Sequence, residues 1–281
     1  MVEARKRKNI DDLTFGDEYL FEAVMQNKEL CKSFIETFLE ISDVTDIEYI
    51  SSEESYKDSY WAKGVRFDIY VKGQDGVAYV VELQQTDTKE IDKRLRYYQS
   101  MIDSKQLPKG RKRSYKDLLD SYIIFIARED LYGRGRYRYT FLGTCLEEPD
   151  LILKNGAHTL VFNTRGTHGD VSEDVKAFLR AIEGESNKDI GKNNNFVQKF
   201  EKYAEEVKAS ETWRKSYMQT ELRLQDKFDA GVEIGMEKGI EKGIEKGKLE
   251  IAKNLLMTDT SHEVIAQVTN LPLETIKKLV E

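Results

Sequence analysis

Residues 65–84 constrain the fold more than any other stretch. Val65, Phe67, Ile69 and Val71 alternate with Arg66, Asp68, Tyr70 and Lys72; Gly73-Gln74-Asp75-Gly76 follows, and then Tyr79-Val80-Val81-Glu82-Leu83. Alternation is the period of a strand, and the Gly-rich interval is a turn signal, so the segment reads as a hairpin. A three-residue loop, Gln74-Asp75-Gly76, places glycine at the left-handed position of a common hairpin turn. In that register paired residue numbers sum to 150, which sets Asp68 opposite Glu82 and Arg66 opposite Gln84. Directly opposed residues share a face, with Cβ atoms about 4.5–5.5 Å apart. Phe67, Ile69, Val81 and Leu83 fall on the other face and fix the hairpin in a core.

Two carboxylates at that separation repel unless a cation sits between them. Hard divalent ions with oxygen ligands, Mg2+ or Mn2+, suit such a pair. The same residues also fit an ordinary charged strand face beside Arg66 and Lys72.

Around the hairpin the chain alternates helix and strand. From Asp17 to Ile41 apolar residues recur at three and four, a helical pattern broken near Asn27. Thr88 to Ile102 reads as a helix with Ile91, Leu95, Tyr98 and Ile102 on one face. Tyr122–Ala127 is a short buried strand, Tyr137–Leu142 and Thr159–Asn163 are further strands, and Val171–Ile182 is a helix. This is a mixed α/β domain over about residues 10–185.

After Asn193 the composition shifts to Glu, Lys, Gln, Leu and Ile without proline, and residues 195–256 read as a long charged helix. Inside it, glycines recur every fourth residue from Gly231 to Gly247, beside Val232, Met236, Ile240 and Ile244. Each glycine costs about 1 kcal/mol of helix stability relative to alanine. Close packing on a second helix would offset that cost and would make the tail a homo-oligomer contact; a flexible charged tether is the other reading. Residues 260–281 form a small helical end unit, in which Thr260 and Glu263 have the spacing of a capping box and Pro272 opens the last helix. It reads as a helical hairpin, with a helix-turn-helix remnant as the alternative.

Composition narrows the chemistry. The 281 residues carry 44 basic and 51 acidic side chains, a net charge of −7, so a globally basic nucleic-acid coat is excluded and only local basic patches remain. Two cysteines, Cys31 and Cys145, make neither a disulfide framework nor a Cys-rich zinc site, and three scattered histidines form no ligand motif. The longest apolar run, Ile123–Ala127, is far short of a membrane span, and no apolar stretch follows the N-terminal charges. A soluble, cytoplasmic protein without a membrane partner is expected.

The spacing Asp68-x13-Glu82-Leu83-Gln84 resembles the PD-(D/E)XK nuclease motif in its E-x-Q form. The opening from Leu13 to Cys31, the segments Gly64–Lys72, Val81–Gln84, Arg94–Asp103 and Ser121–Ile126, and the Gly-Ile-Glu-Lys tail together resemble the recombination-promoting nuclease / PD-(D/E)XK nuclease family transposases. The resemblance implies a restriction-endonuclease-like mixed sheet flanked by helices, with a helical C-terminal tail. It implies Asp68, Glu82 and the Leu83 carbonyl as metal ligands, Mg2+ (or Mn2+) as cofactor, and Gln84 at the place of the usual lysine. Asp17 is the first-helix acid that best completes the site, with Glu18 and Glu22 as competitors; it reads equally well as an N-terminal helix acid. Gln99 and Arg94 stand as supporting residues.

The implied activity is metal-dependent endonucleolytic hydrolysis of DNA, linked to recombination or mobile elements. The alternative is a catalytically inactive nuclease fold that binds DNA or protein, which Gln84, lacking lysine's charge, leaves open. DNA contact needs positive charge. Arg111, Lys112 and Arg113 in one loop, and Arg134 and Arg136 in another, are the candidates, each also readable as a solvated turn.

Overall fold

The computed structural model describes residues 8–14, 16–56, 65–84, 89–107, 114–184, 194–258 and 260–279. It divides into two compact units, one spanning Lys8–Arg214 and one containing Lys215–Glu281. The first holds α1 (Glu18–Met25), α2 (Lys28–Leu39), β1 (Ile47–Tyr56), β2 (Val65–Gly73), β3 (Ala78–Gln84), α3 (Ile91–Gln106), β4 (Ser121–Ala127), β5 (Arg138–Phe141), β6 (Ala157–Asn163), α4 (Glu173–Ile182) and α5 (Asn195–Ala209).

The six described strands form one mixed sheet in the order β1-β2-β3-β4-β6-β5. β3, β4 and β6 run parallel, and β1, β2 and β5 join antiparallel. This is the helix-flanked mixed α/β sheet expected from the sequence. The hairpin register is also the expected one, since Lys72 pairs with Ala78 and Ile69 with Val81. Gly76 sits at φ 84°, in the left-handed region that glycine tolerates. The Asp75 carboxylate accepts the Val77 N–H at 3.0 Å and closes the loop. β1 is an addition. Its Ser51-Ser-Glu-Glu-Ser run has no apolar alternation, yet it pairs along β2 from Ile50↔Val71 to Tyr56↔Val65. Backbone pairing with a strong neighbour overrides weak local propensity there.

Two layers cover the sheet. On one face, Leu95, Tyr98, Met101 and Ile102 of α3 pack on Tyr70, Ala78, Val80, Ile123, Phe125 and Val161. On the other, Phe38 of α2 lies 4.8 Å from Phe162 of β6. Phe178 of α4 meets Phe34, Phe38, Phe196 and Phe200 at 5.0–5.8 Å between ring centroids. Deleting a ring so enclosed costs about 3–5 kcal/mol. Phe196 and Phe200 belong to α5, which lies beyond the boundary drawn at residue 185; the compact unit runs to Arg214. Side chains fix the helix starts: Asn27 Oδ1 accepts from Glu29 and Leu30, Ser172 Oγ from Val175, and Asn194 Oδ1 from Val197.

The helix expected over 195–256 is two helices, parted at Ser210, where ψ is 118°. α6 (Glu211–Leu256) is continuous through all five glycines. A Cβ built on any of them would meet nothing within 4 Å, and Met236, Ile240 and Ile244 are more than half exposed. The end unit adds α7 (His262–Thr269) and α8 (Leu273–Lys278), whose Ile265 and Ile276 bury Ala252 of α6, with Leu255, Ala266, Leu271 and Leu279 around them. One expectation shifts. Ser261 rather than Thr260 stands at the start of α7.

Candidate active site

β3 carries its parallel ladder to β4 on even-numbered residues: Ala78 N–H donates to Asp120 and Arg128 N–H to Gln84. The N–H and carbonyl of Leu83 therefore face β2. The β2–β3 pairing has ended at Ile69↔Val81, and carboxylates take over from the backbone. Leu83 N–H donates to Asp68 Oδ2 and Asp68 N–H donates to Glu82 Oε1, each at 3.0 Å. Each acid is thus fastened to the other's strand. Phe67 departs from its expected face here, since it packs against Tyr70 and Tyr98 at 6.1 and 5.1 Å.

Glu82 is 1% exposed. Burial, and then the charge of Asp68, push its carboxyl up to about 8 against the opposing pull of Arg94. An isolated buried carboxylate costs several kcal/mol, so its partners matter. Arg94, in the first turn of α3, supplies most of them. Its Nη2 donates to Glu82 Oε2 at 2.7 Å, its Nη1 to Gln84 Oε1 at 2.6 Å, and its Nε to the Tyr98 hydroxyl at 2.7 Å. The guanidinium carbon lies 5.0 Å from the Tyr98 ring centre and 5.8 Å from that of Phe125. Tyr98, read from sequence as a core residue, is both core and a polar member of the cluster: its hydroxyl lies 3.4 Å from Glu82 Oε2. Burial, then the charge of Glu82, drive that phenol upward, so it stays a neutral donor.

Asp68, Glu82, the Leu83 carbonyl and Gln84 Oε1 are all hard oxygen donors of the kind Mg2+ and Mn2+ take. The acidic pair already holds one cation, the guanidinium of Arg94, so the donor set fits a positive ion. Among the described residues, no three His, Cys, Asp or Glu side chains converge. Asp17, the expected third acid, is engaged by its own neighbours. Its carboxylate accepts from Lys8 Nζ at 2.6 Å and from Thr14 N–H at 2.9 Å. Glu22 is the buried acid of α1, a helix that packs on β2.

Gln99 is also placed elsewhere than expected. It donates to Ser121 Oγ at 2.6 Å and Asp103 Oδ1 at 3.0 Å, where β4 begins. Ser121 pairs with Ala78, four residues or about 13 Å along β3 from Glu82. Gln99 thus secures the start of β4, at the opposite end of the strands from the acids.

Of the basic candidates, Arg111, Lys112 and Arg113 lie outside the described residues. Arg134 and Arg136 are exposed on the loop before β5. Arg136 borders a cavity of about 410 Å3 with Arg138, Tyr139, Phe141 and Asp170. Arg138 is committed to Glu40 at 2.7 Å. The tyrosines of this loop pack rather than splay: Tyr132 and Tyr139 lie 4.9 Å apart, and the Tyr132 hydroxyl bonds Asp92 of α3 at 3.2 Å.

One polar cluster has no counterpart in the sequence reading. After β4 and β6, Arg128 and Arg165 both bond Glu183, at 2.9 and 3.3 Å, and Thr164 Oγ1 joins at 2.8 Å. Arg128 and Glu183 are 55 residues apart, so no local spacing signals their meeting.

No curated protein and no solved structure matches the chain. No helix among the described residues is long and apolar enough to cross a membrane. The interlocked Asp68 and Glu82, with Gln84 two residues on, stand in a segment that a family model does match. Residues 11–142, just under half of the chain, match the model of the PD-(D/E)XK nuclease family transposases.

Proposed function

We infer that the chain is a metal-dependent DNA endonuclease. The observation that carries this reading is the reciprocal fastening of Asp68 and Glu82 across the opened end of the hairpin, at 3.0 Å each way. Such fastening holds two carboxylates in one geometry before any ligand arrives, as a hydrolytic site requires. Asp68, Glu82 and the Leu83 carbonyl would hold the ion. When bound, a divalent ion supplies a more acidic water and neutralises charge on the phosphodiester. Gln84 presents an uncharged amide whose Oε1 Arg94 fixes, so it orients groups at the site without adding charge. Arg94 and Tyr98 keep Glu82 in place. Arg134 and Arg136, exposed on the loop before β5, would meet the DNA backbone, and Arg111, Lys112 and Arg113 extend the same demand for positive charge.

Plasmid nicking with Mg2+ tests the reading. Asp68→Ala is expected to abolish nicking in a protein that keeps its circular-dichroism spectrum. Unchanged nicking by that folded variant overturns the assignment. DNA binding that persists without any nicking by the wild type would favour the inactive-scaffold reading. For the DNA surface, replacing Arg134 and Arg136 by alanine should lower the slope of log K against log salt by about 2, one unit for each lost phosphate contact.

The tail is assigned to self-association. Its glycines and half-exposed Met236, Ile240 and Ile244 are uncovered in a single chain. Its Glu-Lys pairs are self-complementary in charge, so a second copy is the natural partner. Light scattering on Ile240→Glu/Ile244→Glu should show a smaller assembly than the wild type. Equal masses would leave the repeat a tether.

A further inference from the structure

Metal ligands without a metal face a problem of charge. Two carboxylates fastened together, one of them 1% exposed, need a positive partner even when no ion is present. In the fold that partner is the chain's own. Arg94 spans Glu82 and Gln84 with its two terminal nitrogens, at 2.7 and 2.6 Å. With Asp68 N–H on Oε1 and Arg94 on Oε2, both oxygens of Glu82 are engaged by protein donors. A divalent ion drawing on Glu82 and the Leu83 carbonyl must enter against a guanidinium that holds Glu82 Oε2. Arg94 is suited to exchange. Its side chain is 30% exposed, and its Nε has a separate partner, the Tyr98 hydroxyl at 2.7 Å.

We propose that Arg94 is the resident counter-cation of the acidic pair, which a divalent ion displaces from Glu82 on binding. The inference rests on the metal-site reading above and deepens it. Arginine and metal then act as alternatives: one stabilises the ion-free protein, the other the loaded one. The exchange breaks the Arg94–Glu82 ion pair and forms a metal–carboxylate bond; no covalent bond changes.

Opposed action has a signature that a supporting arginine lacks. In EDTA the full-length Arg94→Gln protein should melt below the wild type, because the buried Glu82 has lost its cation. On titration with Mn2+ it should gain more thermal stability than the wild type gains. Its Mn2+ midpoint should fall about tenfold or more, the equivalent of one competing charge-assisted hydrogen bond. Equal or weaker Mn2+ binding by Arg94→Gln overturns the proposal, since an arginine that cooperates with the ion would give that result. Should Arg94→Gln not fold, the wild type answers alone. The Arg94 Nη–H resonances, assigned with Arg94→Lys, should shift on addition of Mg2+, and unmoved signals in a protein that binds Mg2+ refute displacement. Glu82→Gln separates the two levels. Persistence of the Mn2+ response in Glu82→Gln, or its absence in the wild type, removes the metal site itself and this inference with it. A wild-type response that Arg94→Gln fails to exceed removes only the exchange.

Discussion

Glu82 and Glu183 are the same residue type, each bound to arginine, near the same ends of the parallel strands, and their electrostatics are opposite. Glu82 shares one arginine with a second acid and is shut away from water; burial and Asp68 raise it to about 8. For Glu183 burial also raises the carboxyl, but hydrogen bonds from Arg128 and Thr164 outweigh it and hold it low. Two arginines share Glu183, whereas two acids share Arg94. A cluster with surplus base is a settled tie, which gains nothing from a further cation. A cluster with surplus acid is one that a cation improves. The contrast marks the Glu82 cluster as a candidate site and the Glu183 cluster as a brace.

The largest expected effect sets the two apart by activity. Glu82→Gln should lower Mg2+-dependent nicking by about 10^2-fold or more, as loss of a group that acts on reacting charge does. Glu183→Gln should nick nearly as the wild type does. A nicking defect of equal size in both variants would erase the distinction between site and brace.

Stability should reverse that order. Glu183→Ala removes the carboxylate that Arg128, with its side chain 26% exposed, and Thr164 share, so urea unfolding should show a loss of about 1–3 kcal/mol. Glu82→Gln, measured in EDTA, should lose less, because it removes a buried charge that folding disfavours while one oxygen remains to accept.

The two should also respond to pH with opposite signs. The neutral form of Glu82 is favoured by folding. Its contribution is present below its ordinary 4.5 and is lost as pH rises toward about 8. Glu82→Gln should therefore gain relative stability across that window and level off above it. The ionised form of Glu183 is favoured instead. Its contribution is present above 4.5 and is lost as pH falls through the depressed value, so the penalty of Glu183→Gln should shrink in acid. Parallel pH curves for the two variants in EDTA would contradict this account of burial and charge. The smallest effect concerns Arg165. Its side chain is 62% exposed, and Arg165→Ala should cost no more than about 1 kcal/mol by the same unfolding measurement.

Much of the site was legible in the sequence because a hairpin is local. Gly76, the alternation before it and the run after it fix a register, and the register alone sets Asp68 against Glu82. Asn27 likewise announces the break between α1 and α2, because an N-cap acts within three residues. What escaped depends on distant partners. β1 has no pattern of its own and exists as a strand through pairing with β2. α5 joins the first unit through Phe196 and Phe200 packing on Phe178, which no charge or composition signal foretells. Asp68 and Glu82 were marked by a motif, but Arg94 was marked only as a helper. Its grip on Glu82 and Gln84 arises because the first turn of α3 lies over the end of β3. Asp17 and Gln99 were drawn to the site by position in a pattern, and the bonds they make are to other partners, Asp17 to Lys8 and Thr14 and Gln99 to Ser121 and Asp103.

The glycine spacing of α6 carries a geometric consequence. An α-helix turns about 100° per residue, so each four-residue repeat overshoots a full turn by about 40°. From Gly231 to Gly247 the bare stripe consequently winds through about 160° of the helix circumference. A stripe that winds cannot line one straight seam, as heptad repeats do in a left-handed coiled coil. It follows the i±4 ridge, whose packing sets two helices at about −50° to each other. Two copies of α6 would meet in an X, with one or two glycines of each chain at the crossing. The remaining repeats would offer the same contact again at other heights and azimuths, so that lengthening or shortening the array would re-aim the joined subunits rather than tighten their grip.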